Sequence, residues 1–349
     1  MADREDGSDD LTRAHAIVRR HGRASTSFQT LEHGLRYHFD GDGYVAFAEV
    51  GRAWVAAGAP VSAPGRAAEV ARSFVEAARR AGRRPRFFGV DASLDRQALR
   101  HTRIGEEPWW DARRWHETLR AVRSLREQLR RARAKNVRVR LVSSGALDRA
   151  ALEALAERWL DSRRMAPMGF LVQLDPFRYS EDRLYLVAER DGAWVGLLVA
   201  APVFAGPGWL VEHVLRDPAA PNGTAELLVD ALMRQAARTN APQVCLGHLP
   251  LAGRVNRTLR LIRRLGRFLY NFEGLEAFKR KLRPHRMEPI HLAYPARERG
   301  VVALIDVLRA FAPGGFLRFG IRTLGHLVRR AWPRRAHARL SRDGRLRSG

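Results

Sequence analysis

The stretch LYLVAERDGAWV, residues 184–195, decides the predicted fold. Its first part reads as a strand, Asp191-Gly192 is a turn signal, and a second strand begins at Ala193. The elements predicted after it are further strands to residue 215, a proline-rich loop over residues 217–222, a helix over 224–239 and a strand over 243–247. Strands bounded by turns and followed by a helix and another strand predict an α/β sheet unit.

The same order of elements occurs once before, in residues 44–90. The predicted elements there are a strand over residues 44–50, a turn at Gly51-Arg52, a strand from Ala53, a proline-containing loop over 59–65, a helix over 66–81 and a strand over 86–90. Both copies contain an Ala-Trp-Val triplet, which begins at Ala53 and at Ala193. The shared order predicts an internal duplication, and therefore an α/β protein with two similar units.

The composition is that of a globular protein with a strong positive charge. Of the 349 residues, 46% are hydrophobic and 28% are charged, which suits about two domains that each bury a core. The formal net charge of +25 favours anionic partners such as nucleic acid, phospholipid headgroups or phosphorylated cofactors.

The sequence does not favour a metal site, a disulfide or a membrane span. The single cysteine, Cys245, lies in an apolar run and is predicted to be a buried structural thiol. The twelve histidines lack zinc-ligand spacing, so no metal is expected. Residues 195–211 belong to the longest uncharged run, but Pro202 and Pro207 favour two buried strands with a loop. Because residues 1–10 do not resemble a signal peptide, we expect a cytoplasmic protein with at most peripheral membrane contact.

A strongly basic helix is predicted between the two units. Its apolar positions, spaced by three and four residues, are Leu119, Val122, Leu125, Leu129 and Ala132. Residues 119–140 contain nine Lys and Arg but one Glu. Two interpretations stay open: a solvated surface helix, or contact with the phosphates of tRNA or lipid.

The segment YNFEGLEAFKRKLRP, residues 270–284, combines aromatic residues, a glycine and the closely spaced Lys279 and Lys281. It is followed by EPIHLAYP, residues 288–295, and then by a basic C-terminus. This combination of aromatic and cationic side chains indicates an anion-handling site.

This segment resembles the end of the aminoacyl-transferase domain of bacterial lysylphosphatidylglycerol synthases, the multiple-peptide-resistance family. The family pattern is YNF-x-GL-x-x-FK-x-KF-x-P followed by EP-x-x-LAYP, and this chain departs from it by apolar swaps at Leu282 and Met287. The resemblance extends over residues 19–295 and includes SFQTL at residues 27–31 and AGAP at 57–60.

Members of that family move an amino acid from aminoacyl-tRNA to a membrane lipid. The resemblance implies an α/β (α+β) fold of two tandem acetyltransferase-like (GNAT) domains with mixed central sheets. The integral-membrane half that often precedes this domain is not recognised here, so a stand-alone transferase domain is expected. The expected divisions are a disordered or short N-terminal lead over residues 1–18, a first domain over 19–118, a basic helix and strand over 119–140, a catalytic domain over 141–295 and a basic amphipathic tail over 296–349.

A second informative constellation is EHVLRDPAAPNGTAELL, residues 212–228. Asn222-Gly223 is a turn that tolerates positive φ, and Thr224 is the predicted N-cap of the next helix. In an acetyltransferase-like fold this junction lies at the splayed centre of the sheet. The free N–H groups and the dipole of the helix N-terminus would then suit a phosphate or a developing oxyanion.

The family resemblance implies roles for residues in this region. Its S-x-D-x-x-R and AP-x-G-x-x-[DE]-x-L elements place the arginine on Arg216 and the later acid on Glu226. The earlier acid falls on His213, beside Glu212, and a histidine has a pKa already near neutrality. The base is therefore one of these three side chains. The alternatives are that Glu226 only complements the helix dipole and that His213 is a hydrogen-bonded strand residue.

Acyl transfer from an ester to a hydroxyl needs a base, donors for the tetrahedral oxyanion and cations for phosphates. Lys281 joins the three candidate bases in the predicted catalytic set. The residues predicted to bind substrate or phosphate are Arg216, Asn222, Gly223, Thr224, Lys279, Tyr270 and Asn271. No cofactor is expected besides the aminoacyl-tRNA donor.

Residues 316–332 have helical order, with a cationic arc opposite a Phe/Leu/Trp arc. Two interpretations stay open, an interfacial membrane helix and a core-packed terminal helix. Residues 334–349 are expected to be disordered.

These features predict an acyltransferase that moves an amino acid from aminoacyl-tRNA to a hydroxyl of a membrane lipid such as phosphatidylglycerol. The expected partners are aminoacyl-tRNA and an anionic phospholipid surface at the inner face of the cell membrane. One alternative is an N-acyltransferase that uses coenzyme A or an acyl carrier protein, although the usual R/Q-x-x-G-x-G/A loop is not present in full. The other is a non-catalytic protein that binds anionic lipid or nucleic acid.

Overall fold

The computed structural model describes residues 2–162, 170, 175–253 and 272–312. The strands are β1 Arg36–Phe39, β2 Gly43–Val50, β3 Ala53–Ala57, β4 Val61–Ser62, β5 Arg84–Val90, β6 Leu99–Asp111, β7 Arg138–Val142, β8 Leu184–Arg190, β9 Ala193–Val203, β10 Gly208–Arg216, β11 Gln243–Cys245, β12 Leu249–Pro250 and β13 Arg286–Pro295. The α-helices are α1 Ala2–His21, α2 Ala67–Arg80, α3 Trp115–Ala121, α4 Arg123–Ala134, α5 Arg149–Asp161, α6 Thr224–Ala237, α7 Phe272–Lys281 and α8 Gly300–Phe311. A 3-10 helix over Ser25–Leu31 follows α1.

All of these strands belong to one mixed sheet. Its order is β1-β2-β3-β5-β13-β6-β11-β10-β9-β8-β7, with β4 beside β2 and β12 beside β6. The predicted α/β class with two acetyltransferase-like units is confirmed, as one continuous sheet that runs through both. The uncharged run at residues 195–211 forms β9 and β10, as predicted, and Cys245 is a buried free thiol.

The two units repeat one arrangement of strands. In the first, β2 and β3 are antiparallel, and α2 connects β3 to the parallel β5. In the second, β9 and β10 are antiparallel, and α6 connects β10 to the parallel β11. The Ala-Trp-Val triplets do not correspond, however. Ala53 begins β3, whose counterpart in the second unit is β10, whereas Ala193 begins β9.

The units exchange their last strands. β13 comes from the second half of the chain, yet it lies between β5 and β6 and is antiparallel to both. β6, from the first half, pairs in turn with β11 of the second. The predicted domain bounds stay a prediction, and these hydrogen bonds cross them.

The predicted disorder is wrong for residues 2–18, because α1 covers them. Ala14, Ile17 and Val18 are buried at helical spacing and pack against Phe28 and Tyr44. Charged residues outnumber the apolar ones in this segment, so composition alone favours disorder. Burial of the apolar face stabilises the helix.

Part of the predicted tail over residues 296–349 is also packed. Helix α8 buries Ala303 and Val307 in the core, and Asp306, 1% exposed, bonds with Arg84 at 2.7 Å and with Arg86 at 3.1 Å. The predicted amphipathic helix at residues 316–332 lies outside the described residues.

The predicted basic helix is present but is broken at Val122, which separates α3 from α4. Leu125 and Leu129 are buried in the core of the second unit, as their spacing predicted. On the outer face Glu127 pairs with Arg130 and Arg131, so part of the arginine charge is balanced within the helix.

Helix α6 begins close against α4. Gly223 is its N-cap with φ +97°, and a Cβ there would lie 2.2 Å from the backbone oxygen of Gln128. The prediction that Thr224 is the N-cap is wrong, since Thr224 is the first helical residue and its hydroxyl donates to the Pro221 carbonyl at 2.7 Å. Only glycine combines this φ with so close an approach.

We expect Gly223→Ala to destabilise the protein by more than about 2 kcal/mol, because it adds backbone strain and a collision with α4. Gly192→Ala is the matched control, since Gly192 has φ +80° but nothing within 4 Å of an added Cβ. The control should cost about 1 kcal/mol. Urea unfolding of both variants measures the difference, and equal losses would show that α6 and α4 are not in close contact.

Candidate active site

The candidate site lies where β10 and β11 stop pairing. The two parallel strands are in register from Gly208 with Gln243 to Leu210 with Cys245. Beyond that point β10 has a bulge at Glu212 and follows β9 as far as Arg216, whereas the chain after β11 continues along β6, with which β12 also pairs. A bulge bends its strand, so the carboxyl ends of the two strands face an opening.

Lys279 of α7 lies against the chain that follows β11. Its ammonium donates to the carbonyls of Gly247 at 2.9 Å and His248 at 3.1 Å, and the residue is 5% exposed. Burial lowers its pKa to about 8. The predicted role of Lys279 in binding phosphate is not favoured by this position, because its donors already hold the chain after β11.

A buried carboxylate that the sequence analysis missed lies next to Lys279. Glu107 of β6 accepts hydrogen bonds from Ser25 at 2.5 Å and Trp109 at 2.9 Å, and it forms an ion pair with His248 at 3.1 Å. Burial alone would raise the pKa of Glu107, but the bonds with His248, Ser25 and Trp109 outweigh it and lower the pKa to about 2. The signal was available, since two adjacent acids inside an apolar run require buried partners.

The structure brings together two residues of the predicted catalytic set, Glu226 and Lys281. The carboxylate of Glu226 on α6 lies 2.9 Å from the ammonium of Lys281 on α7, and Gln128 of α4 also contacts that ammonium. Glu226 is 8% exposed, whereas a quarter of the Lys281 side chain is open to solvent. Three helices therefore present one carboxylate and one accessible cation at the start of α6.

Arg216 braces the loop between β10 and α6. Its Nη2 donates to the Ala220 carbonyl at 2.7 Å and contacts the exposed Asn222 side chain at 3.4 Å. The Nε of Arg216 is buried and has no hydrogen-bond partner within the part of the chain that the structure describes. A buried donor without a partner costs free energy, so an anion that reached it would be bound favourably.

Glu212 and His213 are less suited to proton transfer than the sequence suggested. Glu212 forms a buried ion pair with Arg183 at 2.6 Å, with side chains 2% and 6% exposed. Burial raises the pKa of Glu212 above its usual range, and Arg183 opposes that rise. The near-neutral pKa expected for His213 is wrong, because burial and the charge of Arg183 lower it to about 4.

Tyr270 and Asn271 lie outside the described residues. Among the residues that are described, no three His, Cys, Asp or Glu side chains are grouped in a way that would hold a metal ion. No helix in the same residues has the length and apolar character needed to cross a bilayer.

Comparison with known proteins decides the family. Residues 15–294 match the family model described as phosphatidylglycerol lysyltransferase, C-terminal. The chain belongs to this family. It is 26% identical over 239 residues to the lysylphosphatidylglycerol biosynthesis bifunctional protein LysX of Nocardia farcinica, a match that covers 64% of this chain. The same match spans 21% of LysX, about a fifth of its length.

Two solved structures have a similar fold. One is the C-terminal domain of a putative lysylphosphatidylglycerol synthetase from Agrobacterium fabrum, with a TM-score of 0.76 and 23% identity over 88% of this chain and 99% of that one. The other is L-PGS from Bacillus licheniformis, with a TM-score of 0.73 and 19% identity over 89% and 97% of the two chains. The chain therefore shares its overall fold with both proteins.

The depressed pKa of Lys279 predicts a pH-dependent stability. Between the folded pKa of about 8 and the unfolded value of 10.5, the unfolded chain binds more protons. The free energy of unfolding should therefore rise with pH across this window, by on the order of 3 kcal/mol from Lys279. Below pH 8 the lysine is charged in both states, and the full cost of burying it is present.

Lys279→Met should remove this rise, while the titrations of all other groups remain in both proteins. Urea unfolding of the two proteins at a series of pH values from about 8 to about 10.5 gives the difference directly. Parallel stability curves would contradict the burial of a charged Lys279.

Proposed function

We propose that this protein is an aminoacyltransferase that moves an amino acid from aminoacyl-tRNA to a hydroxyl of a membrane lipid such as phosphatidylglycerol. Membership of the lysyltransferase family supports the reaction class. The observation that carries the assignment to a site is the Glu226–Lys281 ion pair, because it joins two residues of the predicted catalytic set that lie 55 positions apart in the chain.

The reaction replaces one ester with another. The lipid hydroxyl oxygen attacks the ester carbonyl carbon, and Glu226 accepts the hydroxyl proton as the new C–O bond forms. The tetrahedral oxyanion then collapses, the bond to the tRNA ribose oxygen breaks, and the proton passes from Glu226 to that leaving oxygen. A carboxylate within reach of the hydroxyl supplies the base, and no redox partner is needed.

Cations beside this base can stabilise the negative charges of the substrates. Lys281 is a point charge next to Glu226, suited to the oxyanion or to a phosphate. The Nε of Arg216, which has no hydrogen-bond partner among the described residues, is a donor for a phosphate at the loop before α6. Asn222, Gly223 and Thr224 form the start of α6, where the helix dipole favours the same charge.

The charge of the protein agrees with both substrates. With 62 Lys and Arg against 37 Asp and Glu, the chain attracts the tRNA backbone and an anionic lipid surface alike. This charge supports the proposal that the reaction takes place at the inner face of the cell membrane, with peripheral contact. No cofactor enters this scheme.

Glu226→Gln and Lys281→Ala should each reduce the rate of lipid aminoacylation on the order of 100- to 1,000-fold, because each removes a charge that acts on the reacting groups. The measurement is transfer of a radiolabelled amino acid to lipid by purified protein. Glu189→Gln is the matched control, since Glu189 pairs with Arg140 at the far edge of the sheet and should retain full activity.

Both active-site variants should keep the cooperative thermal unfolding of the parent protein. The glutamine retains a hydrogen-bonding oxygen for Lys281, and the lysine is partly exposed. Normal activity in either folded variant would remove that residue from the catalytic set, and normal activity in both would move the site elsewhere.

The proposed aminoacyl-tRNA donor leads to a separate prediction. Ribonuclease treatment of a crude reaction should abolish lipid modification, and added charged tRNA should restore it, because the amino acid arrives as a tRNA ester. Activity that survives ribonuclease but depends on coenzyme A or an acyl-carrier-protein thioester would establish the N-acyltransferase alternative.

A further inference from the structure

Helix α8 presents an apolar surface to solvent. Among the described residues, the exposed large hydrophobic side chains are Leu141 at 51%, Val301 at 58%, Val302 at 36% and Ile305 at 38%. Three of these four therefore lie on one helix. At about 100° per residue they fall within an arc of about 100°, and Arg309 lies within the same arc.

Ion pairs on the inner side of α8 fix which face of the helix is exposed. Asp306 is held by Arg84 and Arg86, and Glu298 just before the helix pairs with Arg86. Both acids of residues 296–312 are therefore engaged with buried or half-buried arginines. The opposite face of α8 is fixed outward, because rotation of the helix would carry Asp306 away from the fully buried Arg86 and leave that charge with a weaker set of partners.

The surroundings of the apolar surface are cationic. Arg297 and Arg299 are exposed before α8, and Arg309 is exposed in its last turn. Residues 313–349, which follow directly, contain ten Arg and one Asp in the sequence. An apolar patch bordered by arginines, with its acids turned inward, complements a surface that is negative outside and apolar beneath.

We propose that the outer face of α8, formed by Val301, Val302 and Ile305, docks on an anionic lipid bilayer. The apolar side chains enter the boundary between headgroups and acyl chains, and the flanking arginines contact lipid phosphates. The proposal rests on the proposed function in one respect, since the bilayer would hold the acceptor lipid. A docked α8 would hold the protein at the surface from which that lipid is drawn.

The direct test is a fluorescent label on α8. Cys245 is buried and therefore shielded from labels, so an environment-sensitive fluorophore can be placed on Ile305→Cys, with Leu141→Cys as the matched control. Leu141 is equally apolar and exposed, lies near arginines, and belongs to the edge strand β7. Vesicles of phosphatidylcholine with phosphatidylglycerol should shift the emission at position 305 to the blue and leave that at 141 unchanged.

A second measurement uses affinity. The double variant Val301→Asp with Ile305→Asp should bind the same vesicles at least about tenfold more weakly than the parent protein, whereas Leu141→Asp should bind normally. The residual binding of the double variant should vanish as salt is raised, because the attraction that this variant keeps is electrostatic and salt screens it. Both variants change exposed residues, so their thermal unfolding should match that of the parent.

Three results would overturn the proposal. The first is an emission shift that is equal at positions 305 and 141, or absent at both. The second is a double variant that binds as tightly as the parent. The third is a blue shift at position 305 that appears without vesicles as protein concentration rises, which would assign the face to a second copy of the chain. Because neither assay contains tRNA, failure of aminoacyl transfer would leave these results intact.

Discussion

The pairing of β13 with β6 is the constraint on which the site depends. It extends from Arg286 opposite Trp109 to Pro295 opposite Leu99, and it places a late strand in the middle of the sheet. Helix α7 ends four residues before β13, and the connection is held at Leu282, whose carbonyl accepts the Trp110 indole N–H at 2.7 Å. The position of the strand therefore sets where Lys279 and Lys281 lie. One lysine reaches the gap between β10 and β11, and the other reaches the start of α6.

Buried acids organise the rest of the architecture. Glu107, Glu212, Asp230 and Asp306 are shielded from solvent, and each is bonded to at least one Arg or His. Asp230, for example, joins α6 to Arg133 of α4 and to Trp115 of α3. Such pairs specify geometry more than they add stability, since desolvation offsets much of their attraction.

Local patterns predicted much of the fold. Alternating strands and glycine turns located both units, and the three- and four-residue spacing of Leu125 and Leu129 located α4. The strand exchange was beyond reach, because a strand's sequence shows which face is apolar but not which partner it meets. The prediction that the two Ala-Trp-Val triplets occupy equivalent strands was wrong for the same reason.

The site was predictable in its residue types but not in their environments. Glu226 and Lys281 are in contact, as expected for two members of one catalytic set. Lys279, two positions earlier on the same helix, points in another direction and is buried, and only the tertiary structure decides between the two. Glu107 and His248 are 141 positions apart, so their pairing has no local signature. The pKa of His213 likewise depends on Arg183, a residue of a different strand region.

The exchange of β6 and β13 also governs how the chain can fold. The place of β13 between β5 and β6 stays open until about 200 further residues have been synthesised, so an emerging chain carries two unpaired strand edges for most of its synthesis. Contacts this distant in sequence slow folding, since loop closure precedes the gain from pairing. Neither half has a complete sheet by itself. The two units thus form a single cooperative body, and a chain cut between them would yield fragments that need each other to fold.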